Sequence, residues 1–170
     1  MSSEERLLFM IISNHDHGII IKDLSFALQE SYGAIKSMIY VEVQEDHIEV
    51  RQGTFREQDV ERYFSKTRRN FTSDLRLEVD KNIIELHRHL QAADDGLLVR
   101  EIASILGISN EEADKLVRVQ YSKSYVEEAK EHSLRYRSIL ELPVDRLVKI
   151  KKEGNDSFFT HILRFFGIVK

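Results

Sequence analysis

The chain has 170 residues, 42% hydrophobic and 32% charged, with a net charge of −4 and no cysteine; that length suits one domain or two small ones. The missing cysteine excludes disulfides, thiolate catalysis, cysteine-bound zinc and iron–sulfur clusters. No apolar run reaches the roughly 18 residues of a membrane-spanning helix, and acids Glu4 and Glu5 stand where a secretory signal carries positive charge, so a cytoplasmic protein without membrane contact is expected.

One Pro and seven Gly leave few breakers, and the expected fold class is mainly α. Charge is uneven: residues 1–50 sum to −6, 51–90 to +2, 91–140 to −2 and 141–170 to +2. Ser2 and Glu5 have capping-box spacing, and a helix through about Asn14 should follow, with Leu7, Leu8, Ile11 and Ile12 on one face. Asp16-His17-Gly18 breaks it. Helices are expected from Lys22 to Gln29 and from Tyr32 to Ile39. Val41 and Val43 then alternate with Glu42 and Gln44, and Ile48 and Val50 alternate after Glu45-Asp46, which predicts a β-hairpin over 41–50.

From Glu57 to about Asn70 the spacing of Val60, Tyr63 and Phe64 predicts a helix. On it Arg62, Lys66 and Arg69 share a face, Arg68 flanks them, and aromatic residues lie between, an arrangement suited to nucleic-acid backbone contact with stacking. A helix from about Leu77 to Leu90 follows, then helices at about 98–106, 110–120 and 123–140, and one starting at Pro143. The last stretch, Ser157 to Val169, has apolar residues around most of a helical wheel. It is expected to pack in the core or to join two copies in a homodimer.

The clearest motif is a helix-turn-helix over 99–116. Ala103 is the small residue at the helix contact, Gly107 the turn, Ile102, Leu106, Ile108, Ala113 and Leu116 the corner, and Ser109 or Asn110 the cap. Its second helix opens with Glu111, Glu112 and Asp114, which would face phosphates if it read DNA. A looser triplet spans 21–39, with Leu24, Leu28, Ile35 and Met38 at the apolar positions and Lys36 on the second helix. Arg51 and Arg56 would sit on its hairpin.

These residues resemble two families. Leu75-Arg76-Leu77-Glu78-Val79, the helix Asp80–Leu90 and the corner Glu101–Glu112 are similar to the middle, region-three domain of primary-type bacterial sigma factors, over residues 75–128. The N-terminal triplet with its hairpin resembles the winged-helix domains of bacterial transcription regulators. The expected organisation is a winged-helix-like domain at 1–56 (three helices plus a β-hairpin), a basic linker helix at 57–74, a second helix-turn-helix domain at 75–140, and C-terminal helices at 141–170.

The resemblance implies a regulator of transcription acting through DNA or RNA polymerase, with Lys36, Arg51, Arg62, Lys66, Arg68 and Arg69 as DNA contacts. The competing expectation is a protein–protein interaction module that keeps the helix-turn-helix shape without reading DNA. Neither His15/His17 nor His87/His89 has the spacing of a helical zinc pair, and no phosphate-binding glycine loop, dinucleotide fingerprint or nucleophile elbow is present. No metal, cofactor or enzymatic activity is expected.

Overall fold

The computed structural model describes Leu8, Ile12 and residues 15–66, 79–129 and 134–148. Among these run six strands and six helices. The first half holds β1 (Ile19–Ile20), α1 (Ile21–Leu28), α2 (Tyr32–Gln44), β2 (Ile48–Phe55) and β3 (Gln58–Ser65). The second holds α3 (Lys81–Ala92), β4 (Leu97–Leu98), α4 (Val99–Leu106), α5 (Asn110–Ser122), β5 (Val126–Glu128), β6 (Arg135–Ser138) and α6 (Val144–Val148). The strands form two three-stranded antiparallel sheets, ordered β1-β3-β2 and β4-β6-β5. The architecture is α+β, and the expectation of a mainly α chain, with three N-terminal helices and one hairpin followed by a helical domain, is overturned.

Three local expectations change with it. The alternation at 41–44 belongs to the last turn of α2. Ile35, Ile39 and Glu42 are its buried face, so the polar Glu42 points inward while Val41 points out. The segment expected to begin a basic helix is strand β3, paired residue for residue with β2 from Ile48 opposite Ser65 to Phe55 opposite Gln58. The helix expected over 123–140 is replaced by β5 and β6, in register from Val126 opposite Ser138. By contrast, the helices at 98–106 and 110–120 are present as α4 and α5, and a short helix follows Pro143. Leu8 and Ile12 are helical and fully buried; the expected tail helix at 157–169 lies outside the described residues.

The two halves repeat each other, which the sequence pattern does not announce. Gly18 and Gly96 both hold positive φ, at 75° and 73°. The short strands Ile19–Ile20 and Leu97–Leu98 follow, then two eight-residue helices and two thirteen-residue helices. The turn between the helices starts in the left-handed region at Gln29 (φ 54°) and at Gly107 (φ 66°). Ser31 and Ser109 cap the second helix through their side chains. Asp46 (φ 63°) and Ser124 (φ 58°) lead into β2 and β5. Every pair is 78 positions apart, and the same offset matches buried Leu8 with Leu86 and Ile12 with Leu90. One unit is therefore laid down twice, without an insertion from 8 to 48 and from 86 to 126; the hairpins then differ in length.

Each unit has its own apolar cluster. The second is compact: Leu86, Leu90, Ile102, Ala103, Ala113, Val117 and Val126. The first, built on Leu8, Ile12, Ile19, Leu24, Ile35, Ile39 and Ile48, also takes in Tyr125, Leu140, Val144 and Leu147 from the other half. Several polar bonds close this seam. Asp23 on α1 accepts the backbone N–H groups of Glu141 at 3.0 Å and Leu142 at 3.1 Å. Within the second half, Gln91 on α3 holds the same segment, donating to the Leu142 carbonyl at 2.8 Å and accepting the Val144 N–H at 3.1 Å. Arg62 on β3 forms a two-pronged pair with Glu141, one prong at 2.9 Å.

Gly96 and Gly107 separate two costs of a left-handed residue. At Gly96 an added Cβ would stand 2.7 Å from the backbone oxygen of Tyr136, whereas at Gly107 it meets nothing within 4 Å. Gly107→Ala should cost only the left-handed backbone penalty, about 1 kcal/mol. Gly96→Ala adds a backbone collision in the β4–β6 pair, and its loss should exceed about 2 kcal/mol. Denaturant titration of both variants checks the order; equal losses would show that the close approach at Gly96 relaxes freely.

Candidate functional site

In each unit the second helix of the corner presents its outer face to solvent. On α2, the Ser31 hydroxyl accepts the Ala34 N–H at 3.2 Å, which fixes where the helix starts. The exposed face then reads Gly33, Lys36, Ser37, Tyr40, Val41 and Gln44. On α5, Ser109 and Glu112 form a capping box: the Ser109 hydroxyl accepts the Glu112 N–H at 3.2 Å and the Glu112 carboxylate accepts the Ser109 N–H at 2.9 Å. Those bonds hold the Glu112 carboxyl below its ordinary pKa. The exposed face of α5 reads Asn110, Glu111, Glu112, Lys115, Arg118, Val119, Tyr121 and Ser122, with Arg118 bonded to Asp114 at 2.6 Å.

Large apolar side chains on these faces are exposed. Val41 and Val119, which occupy the same position in the repeat, are 43% and 42% exposed; Tyr40 and Tyr121 are 66% and 51% exposed. Only the valines are matched; Tyr40 has Arg118 as its counterpart in the repeat, and Tyr121 has Val43.

The predicted DNA contacts are not brought together. Lys36 stands alone on α2. Arg51 lies on β2, where both of its donors reach Glu49 at 2.8 Å and its guanidinium carbon lies 4.5 Å from the Phe64 ring centre. Arg62 and Lys66 do not share a helical face: Arg62 is in β3 and half-buried against Glu141, and Lys66, just beyond the strand, pairs with Asp46. Arg56, at the hairpin turn, donates to Glu127 at 2.5 Å and to the Ser138 carbonyl at 2.8 Å, so it serves the seam. Arg68 and Arg69 lie outside the described residues.

A buried polar network inside the second unit, and a buried carboxylate at the seam, were not foreseen from the sequence. His87 on α3 is fully buried between Ser138 (Nδ1 to Oγ, 2.8 Å) and Gln120 (Nε2 to Oε1, 3.1 Å). The amide oxygen can only accept, so Nε2 carries the proton and Nδ1 accepts from the serine hydroxyl. Burial pulls the imidazole pKa down to about 4. Asp23 is also fully buried, and desolvation raises it to about 7 against the opposing effect of its two N–H bonds. Phe26 meets the His87 ring edge-on at 4.8 Å and the Tyr125 ring at 5.4 Å. Nothing in the linear pattern signals this network, because each polar member interrupts an otherwise apolar stripe.

Among the described residues, one group has metal-ligating atoms that converge: Glu42, Glu45 and His47, all within 4.8 Å of one another. The His47 Nδ1 lies 2.8 Å from Glu42 and 3.5 Å from Glu45. The hydrogen bond to the buried Glu42 carboxylate satisfies that group without a cation. The second unit has Gln120, Lys123 and Tyr125 at the matching positions, so the cluster is not a requirement of the repeated fold.

No protein-family model matches the chain, and no curated protein matches it. Among the described residues, no helix is long and apolar enough to cross a membrane.

Proposed function

We propose that the chain is a protein-interaction module in transcription, in which two corner-and-hairpin units display their second helices to a protein partner, RNA polymerase among the candidates, rather than to DNA. The order strand, helix, helix, hairpin in each unit supports the resemblance to winged-helix regulators. The observation that carries the reading is the matched exposure of Val41 and Val119, flanked by Tyr40 and Tyr121, on the two helices that would enter a groove. On α2 the exposed aromatic and aliphatic side chains stand beside one charge, Lys36, the composition of a protein-binding surface core, whereas on α5 Glu111, Lys115 and Arg118 stand beside Val119 and Tyr121.

Charge supports the same reading. DNA affinity comes largely from phosphate contact by free cations. Arg51, Arg62 and Lys66 each already hold a carboxylate, so phosphate contact would exchange one partner for another, and the second unit's helix opens with two acids.

Two measurements test the proposal. In a gel shift against mixed DNA at two salt concentrations, the parent should show no retained complex. In a pull-down against RNA polymerase and cell extract, a bound protein should be lost in the Val41→Asp, Val119→Asp double variant, whose fold is checked by circular dichroism. A salt-sensitive DNA complex whose log–log slope falls by about 2 in Arg51→Ala, Lys66→Ala would establish the DNA reading instead.

A further inference from the structure

A cavity of about 360 Å³ opens on the seam between the units, where the α1–α2 turn of the first faces the α5–β5 turn of the second. That volume lies within the range of small-molecule sites, about 300–1,000 Å³. Its walls include Ser25, Glu30 and Tyr32 from the first unit and Lys123, Ser124 and Tyr125 from the second. Neither unit alone makes the site.

Three features mark it as a place for a ligand. The Tyr32 hydroxyl is buried and has no hydrogen-bond partner. A buried donor left unpaired is costly, and burial keeps this phenol protonated by raising its pKa to about 12. Beside it, Ser25 and Tyr125 are joined hydroxyl to hydroxyl at 2.8 Å, a polar floor between two tyrosine rings. At the rim, Ser124 holds a left-handed backbone (φ 58°), and Lys123 has no carboxylate partner among the described residues. Ser25 donates to the Glu30 carbonyl and Tyr125 donates to Ser25, so the site offers one cation, one uncommitted hydroxyl donor at Tyr32 and aromatic flanks for a small apolar body. A doubly charged phosphate would find too little positive charge here, whereas a monocarboxylate matches the set. Glu30, on the same wall, adds a place for an ammonium group.

We propose that this cavity binds a small monocarboxylate of amino-acid size, with its carboxylate between Lys123 and the Tyr32 hydroxyl, and that the ligand clamps the two units together. The site stands whether the outer helices bind protein or DNA. It is tested on the full chain by thermal unfolding and by amide chemical shifts. The probes are leucine and phenylalanine and their counterparts without the amino group, isocaproate and hydrocinnamate.

At about a hundredfold excess over Kd, a binding probe should raise Tm by roughly 5 °C and move the amides of Tyr32 and Ser124. Tyr32→Phe removes an unpaired buried hydroxyl, so the free variant should be at least as stable as the parent, yet its response should vanish. Lys123→Met should lose the response as well. A response to the amino acids alone places the ammonium on Glu30; a response to all four rests on the carboxylate. No response from any probe, or an undiminished response in both variants, overturns the proposal.

Discussion

Phe26→Ala is expected to cost about 3–5 kcal/mol, the range for removing a fully buried phenylalanine, and to lower Tm by roughly 10 °C in a chain of this size. Phe26 has no exposed surface; it belongs to the first unit's apolar cluster and also meets the rings of His87 and Tyr125 in the second. Its counterpart in the repeat, Ser104, is exposed. Truncation leaves a cavity where the first unit's cluster meets the second and removes both ring contacts, while the second unit's own cluster is left whole. The loss should therefore appear as weaker coupling between the units, read as a broader denaturant transition with a smaller m-value. Phe26→Leu refills most of the space and should cost less than half as much. A change below about 1 kcal/mol for the alanine variant would show that the seam contributes little to stability.

The second large effect concerns pH. Asp23 is raised from 3.8 to about 7, so folding favours its protonated form. Its contribution is fully present below about pH 4 and is lost as pH rises through about 7. His87 is lowered from 6.5 to about 4, so folding favours its neutral form. Its contribution is fully present above about pH 6.5 and is lost as pH falls towards 4. Across the shared window of about pH 4 to 6.5 the two slopes oppose, each approaching one proton, or about 1.4 kcal/mol per pH unit. Asp23→Asn should make the stability slope more positive than the parent's by about that amount; His87→Gln should make it more negative. Urea midpoints collected through the window give both slopes. Each variant also loses stability outright, but the difference in slope identifies the titrating group, and parallel curves for parent and variants would refute both assignments.

The legible part of the chain is the part that a helix's own periodicity dictates. Ala103 and Ile102 are buried at the corner between α4 and α5, Gly107 holds the left-handed turn, and Ser109 is the cap, because each demand is met by one residue type at one position. The first corner is harder to read because Gln29, rather than glycine, holds its left-handed turn. The first hairpin is obscured for a related reason. Its two-residue turn is Arg56-Glu57, at φ 51° and 64°, where Asn-Gly or Asp-Gly is the usual signal. Val60, Tyr63 and Phe64 fit a helical spacing equally well, and only pairing with β2 decides for a strand. The charged candidates failed because a linear pattern cannot show that Arg62 meets Glu141 or that Lys66 meets Asp46.

The constant offset makes each unit a reference for the other. Where both copies carry a buried apolar residue, as at Leu24 and Ile102, Ile39 and Val117, or Ile48 and Val126, the requirement belongs to the fold itself. Where the copies disagree, the chain has specialised. Ala27 is buried and Ile105 exposed; Phe26 is buried and Ser104 exposed. Both disagreements fall on the first helix of the corner, and in both the first copy is the covered one. The division of labour is thus directional: one copy gives its α1 face to holding the pair together, and the other keeps the equivalent face open.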